Sequence, residues 1–96
     1  MVIRCVVRVR KSDEVYVDCV YTTHHEVVNV TEVAVTPAGV TSAFCYRFAS
    51  VEAGRADYLK NLNRGWRLDI RNRPAELTEY YSIVRKAMRY GAAQLA

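Results

Sequence analysis

No stretch of this sequence is apolar for more than a few consecutive residues, far short of the roughly 20 that a helix needs to cross a bilayer. A transmembrane helix is excluded. Met1 runs straight into Val2, Ile3 and Arg4, with no apolar leader core or small-residue cleavage site, so a cytoplasmic chain is the expectation. In that compartment the Asn29-Val30-Thr31 glycosylation sequon carries no meaning. The four glycines, at positions 39, 54, 65 and 91, are too scattered to build a P-loop, a Gly-x-Gly-x-x-Gly turn or a KH-type Gly-x-x-Gly loop. None of the three cysteines sits in a Cys-x-x-Cys pair, so zinc-ribbon and thioredoxin-like chemistry have no framework here. No cofactor is expected, and no residue stands out as catalytic.

What is present is an ordinary globular composition: 96 residues, 51% apolar and 25% charged. That is too hydrophobic for disorder and enough for one domain spanning residues 1–96. The basic excess is uneven. Residues 1–48 hold as many Asp and Glu as Lys and Arg, so the whole net charge of +4 falls in residues 49–96. Lys60, Arg64, Arg67, Arg71 and Arg73 are opposed in their stretch only by Asp69. Eleven of the fourteen basic residues are Arg, the side chain suited to planar recognition of phosphate and carboxylate.

Periodicity supplies the elements. Residues 2–10 alternate, with Ile3, Cys5, Val7 and Val9 on one face of a strand, and residues 14–21 do the same with Val15, Val17, Cys19 and Tyr21. A three-residue loop, Lys11-Ser12-Asp13, would pair Val9 with Val15, Val7 with Val17, Cys5 with Cys19 and Ile3 with Tyr21. Residues 26–36 form a third strand whose valines change parity between Val30 and Val33, which predicts a bulge near Asn29–Thr31. Thr36-Pro37-Ala38-Gly39 is a turn into a fourth strand, residues 40–48, with Val40, Phe44, Tyr46 and Phe48 inward.

Ser50 is a suitable N-cap for a helix ending near Gly65, with Val51, Arg55, Tyr58, Leu59 and Leu62 on one side. Gly54 weakens that helix by about 1 kcal/mol relative to Ala. Trp66, Leu68 and Ile70 then alternate with Arg67, Asp69 and Arg71 as a short fifth strand. Pro74 opens a second helix with an apolar stripe of Leu77, Tyr80, Tyr81, Val84, Ala87 and Met88, stopping at Gly91. The fold expected is α+β: an antiparallel sheet of four to five strands with two helices packed on one face, in the order ββββαβα.

Three functional readings follow. The first is a non-catalytic binding module acting through protein–protein interaction, as small adaptors, inhibitors and viral or mobile-element accessory proteins do; a homodimer that pairs sheet edges or buries the Tyr-bearing helix is one form of it. Its support is the supply of Tyr and Arg, both favoured at interfaces. The second is nucleic-acid binding through a basic and aromatic patch of Arg64, Arg67, Arg71, Arg73, Tyr81, Arg85, Lys86 and Arg89. Helix-turn-helix docking is excluded, because about ten residues separate the two helices. The third is a small-ligand or metal site at His24, His25 and Glu26. There His-Glu-Val-Val-Asn falls one residue short of the zinc-protease pattern and lies in strand rather than helix context. Cys5, Cys19 and Cys45 read as buried thiols in strands.

Overall fold

A computed structural model describes residues 1–90; the side chains of Ser42, Ala43 and Tyr90 are outside that description. The expected stop at Gly91 and the segment 92–96 lie outside the described residues. Four strands form an antiparallel meander: β1 (Val2–Ser12), β2 (Val15–His24), β3 (Val27–Thr36) and β4 (Gly39–Phe48). Helix α1 (Val51–Arg64) returns across the sheet to a two-residue strand, β5 (Trp66–Arg67). After a single 3-10 turn (Ile70–Asn72), helix α2 (Pro74–Tyr90) follows. The strand order is β4-β3-β2-β1-β5, and the α+β class and element order are those read from the sequence.

The two helices do not share a face. Val6, Val20 and Val33 pack with Tyr80 and Val84 of α2, whereas Val7, Val9, Cys19, Tyr21 and Val30 pack with Tyr58 and Leu62 of α1. Adjacent residues such as Val6 and Val7, or Val20 and Tyr21, are therefore buried on opposite sides of one sheet. A sheet covered on both faces needs runs of apolar residues rather than alternation.

Register explains the other departures. The first hairpin closes through a two-residue turn at Asp13 and Glu14, with a shift between Arg10 and Ser12, so Val9 pairs with Val17, Val7 with Cys19 and Cys5 with Tyr21. The slip from the expected pairing is two residues over that stretch, which preserves the face of each side chain. It separates Cys5 from Cys19, and all three cysteines are free and buried. A further shift between Ile3 and Cys5 moves Ile3 to the α2 face. The bulge expected in β3 is absent: β2 and β3 pair without interruption from Tyr16 and Val35 to His24 and Val27. The parity change of its valines instead marks Val28 and Val30 packing toward α1 and Val33 toward α2. The irregularity falls in the pairing with β4, between Glu32 and Val33.

Helix α1 begins as expected, with Ser50 Oγ accepting from the Ala53 amide. Only part of the expected stripe faces inward: Tyr58 and Leu62 pack on the core beside the buried Gly54 and Asn61, while Val51 and Leu59 are 63% and 52% exposed. A Cβ on Gly54 would stand 2.8 Å from Val28 Cβ, and one on Gly65 would stand 2.0 Å from the Arg8 carbonyl oxygen. Both glycines are sites of close approach, so the helix sits lower on the sheet than any larger residue permits. The fifth strand is shorter than expected: beyond Arg67 only the Leu68 amide continues the ladder, donating to the Val6 carbonyl. Helix α2 buries Tyr80, Val84 and Ala87, the centre of its expected stripe.

Candidate functional site

Two polar clusters that the sequence does not announce hold the helices to the sheet. On the α2 face, Asp18 is fully buried and receives two bonds from Arg8, at 2.7 Å from Nε and 2.8 Å from the terminal nitrogen. The Tyr80 hydroxyl donates a short bond to the same carboxylate. This contact and burial raise the Tyr80 phenol well above its ordinary value, burial being the larger cause. The Arg8 guanidinium also lies over the Tyr16 ring at 5.5 Å, and Tyr16 meets Trp66 edge-on. On the α1 face, Asp57 accepts from Tyr21 Oη at 2.8 Å, Tyr46 Oη at 3.2 Å and Asn61 Nδ2 at 3.2 Å. The Asn61 amide also donates to Tyr21 Oη at 2.7 Å. Burial first, and Asp57 second among the causes shared by both, push the Tyr21 and Tyr46 phenols upward. Asp57 and Asn61 stand one helical turn apart on the side of Gly54, which is the one sequence signal that could have marked this cluster.

The candidate binding residues fall in several places. Tyr81, Arg85, Lys86 and Arg89 of α2 line one open groove of about 940 Å³, together with Met1, His24, Thr78, Ser82 and Met88. Arg67 and Arg71 line a second, smaller groove with Leu68, Asp69 and Ile70, and no residue lines both. Arg73 pairs with Glu76 at 3.3 Å in the first turn of α2. Arg64 is exposed at the end of α1.

Within the larger groove, Arg85 lies over the Tyr81 ring at 5.7 Å, and the Tyr81 hydroxyl accepts from the Ile3 amide. Of the neighbouring tyrosines, Tyr80 is core and Tyr81 remains half-buried at the groove. Among the described residues no carboxylate lines this groove, whereas three arginine or lysine side chains and His24 do.

His24 ends β2, and His25 and Glu26 form the turn into β3 with φ of 50° and 64°. The turn brings the two imidazoles to 4.1 Å between centroids. The charge of His25, chiefly, makes His24 harder to protonate. Among the described residues no group of three His, Cys, Asp or Glu is placed to hold a metal ion. No helix of the described residues is long and apolar enough to cross a membrane. Burial raises the Cys5 thiol and pushes the Cys19 thiol up to about 12, the reverse of what activates a nucleophile. No family model, curated protein or solved structure matches the chain.

Proposed function

We propose that this is a non-catalytic binding module acting through protein–protein interaction, and that its docking element is the outer edge of β4. The observation that carries the reading is the edge itself. β4 is ten residues long, pairs with β3 on one side and, among the described residues, has no strand on the other. Sheet edges of that length are normally blunted by lysine, proline or inward charge. Arg47 is the one charged residue between Gly39 and Phe48.

Phe44, Tyr46 and Phe48 form an aromatic ladder along one face of that edge, with centroids 5.6 and 5.5 Å apart, and Phe44 is 38% exposed. A strand added there gains a row of backbone hydrogen bonds and an aromatic surface for alternate side chains. The partner is a second copy, because an antiparallel pair of identical edges is self-complementary about a two-fold axis.

Light scattering at high protein concentration tests this. The expected mass is about 22 kDa, twice the 11.0 kDa chain. Phe44→Lys, which puts a charge on the half-exposed edge, should return the monomer mass with the circular dichroism unchanged. A wild-type mass of 11.0 kDa at every concentration would remove the homodimer.

A further inference from the structure

We infer that the groove beside α2 is a binding site for the phosphate backbone of nucleic acid, separate from the β4 edge. Its lining combines Arg85, Lys86, Arg89 and His24 with the hydroxyl-bearing Thr78 and Ser82, and contains no Asp or Glu among the described residues. A solvated helix face ordinarily mixes signs, so an acid-free lining selects an anion. The rest of α2 shows the contrast: its acids, Glu76 and Glu79, stand near the start of the helix, and neither lines the groove.

The shape distinguishes a polymer from a small anion. The polar groups do not converge on one point. They run along the helix from Thr78 to Arg89, about 16 Å at 1.5 Å per residue. A single phosphate would use one end of such a row, and a strand with phosphates in series would use all of it. Arg85 is held over the Tyr81 ring at 5.7 Å, and that ring is anchored by the Ile3 amide. This guanidinium is ordered before any ligand arrives, which lowers the entropy lost on binding. The Met1 and Met88 side chains give the groove adaptable apolar walls against which sugars or bases can rest.

Polar capacity continues inward. His24 shares the α2 face of β2 with Thr22, whose register partner is Asn29. Among the described residues, Thr22 Oγ1, Asn29 Oδ1 and the Nε of Arg47, the register partner of Asn29 on β4, are buried without a hydrogen-bond partner. This face of the sheet thus holds polar atoms that a purely apolar packing surface would not carry, and none of them lines the groove itself.

Fluorescence anisotropy with labelled mixed-sequence oligonucleotides, single- and double-stranded, tests the site on the whole chain. Three phosphate contacts predict a loss of affinity of about 20-fold for single strands or about 40-fold for duplex between about 50 and about 200 mM salt. Arg85→Ala and Lys86→Ala should each weaken binding across all sequences and flatten the salt slope by about 0.7 to 0.9. Arg67→Ala and Arg71→Ala, in the other groove, should leave both unchanged, and Phe44→Lys reports separately on the β4 edge. Urea unfolding of each variant identifies any loss that comes from misfolding. Absence of binding at 50 mM salt would overturn the assignment. So would affinity that survives the Arg85→Ala, Lys86→Ala double variant, or equal competition by polyglutamate of the same charge, which would make the groove an acidic-peptide site.

Discussion

On each face of the sheet an aspartate is bonded to tyrosine, and the two aspartates are compensated differently. Asp18, on the α2 face, belongs to the sheet, is fully buried and is paired with the Arg8 cation. Asp57, on the α1 face, belongs to the helix, is half-buried and is met by two phenols and an amide with no cation among those bonds. A charge removed wholly from water needs an opposite charge, while one left partly hydrated can be held by hydrogen bonds alone. Burial depth therefore decides which chemistry ties each helix down.

The largest expected effect comes from breaking the deeper cluster. Asp18→Ala leaves the Arg8 guanidinium and the Tyr80 hydroxyl without their shared acceptor, which should cost about 3–5 kcal/mol in urea unfolding. Asp57→Ala should cost about 1–2 kcal/mol, because Tyr21 Oη still receives the Asn61 amide. Replacing the pair together, Arg8→Met with Asp18→Leu, should recover most of the first loss, since no charge is then stranded. Equal losses at Asp18 and Asp57 would show that depth is not what separates them.

The faces also differ in how close the helix comes. On the α1 face Gly54 rests on Val28, so Gly54→Ala should lose about 1–3 kcal/mol by overpacking, although alanine is the better helix former by about 1 kcal/mol. Adding Val28→Ala removes the two Cγ atoms but leaves the Cβ at 2.8 Å, so the double variant should stay less stable than the wild type. If Gly54→Ala instead stabilises the protein, the close approach is not a constraint.

Much of this was legible in the sequence, and the misreadings share one cause. Element order, the Ser50 cap, the turn at Thr36–Gly39 and the stripe of α2 follow from local rules that act within a few residues. The face assignments fail where alternation is read as one side buried and one side wet. Val6, Val20 and Asp18 look like an outer row until a second helix covers them. The Val30-to-Val33 parity change imitates a bulge for the same reason. The site residues were individually visible as Arg and Tyr. Their scatter over two grooves and two isolated positions, Arg64 and Arg73, depends on where α2 crosses the sheet, a tertiary fact that charge counting does not contain.

Alkaline titration separates the faces without mutation. The α1 face holds Cys5, Cys19, Tyr21 and Tyr46, all with raised values, and the α2 face holds only Tyr80 among the described residues with a raised phenol or thiol. An unfolded Cys19 ionises at its ordinary value of 9.0, whereas the folded thiol holds its proton up to about 12. The stability this represents is whole below pH 9 and drains away as pH rises toward 12. At about pH 10 Cys19 alone accounts for a loss of about 1 kcal/mol. Cys19→Val should flatten the fall in urea midpoint above pH 9 more than Tyr80→Phe does over the same interval.

The smallest effect lies in the turn that keeps the faces apart. A one-residue slip between β2 and β3 would exchange every side chain between α1 and α2, and the register is fixed by two residues, His25 and Glu26, both at positive φ. Asn-Gly is the pair that adopts this geometry with least strain, and glutamate has no side-chain reason to be there. The double variant His25→Asn, Glu26→Gly should raise stability by about 0.5–1 kcal/mol, seen as a higher urea midpoint with an unchanged slope. The same variant removes the neighbouring imidazole that opposes protonation of His24. His24 should then titrate at higher pH by NMR, and if oligonucleotide affinity rises with it near pH 6 (about the ordinary histidine range), His24 is a cation of the groove rather than a bystander at its lip.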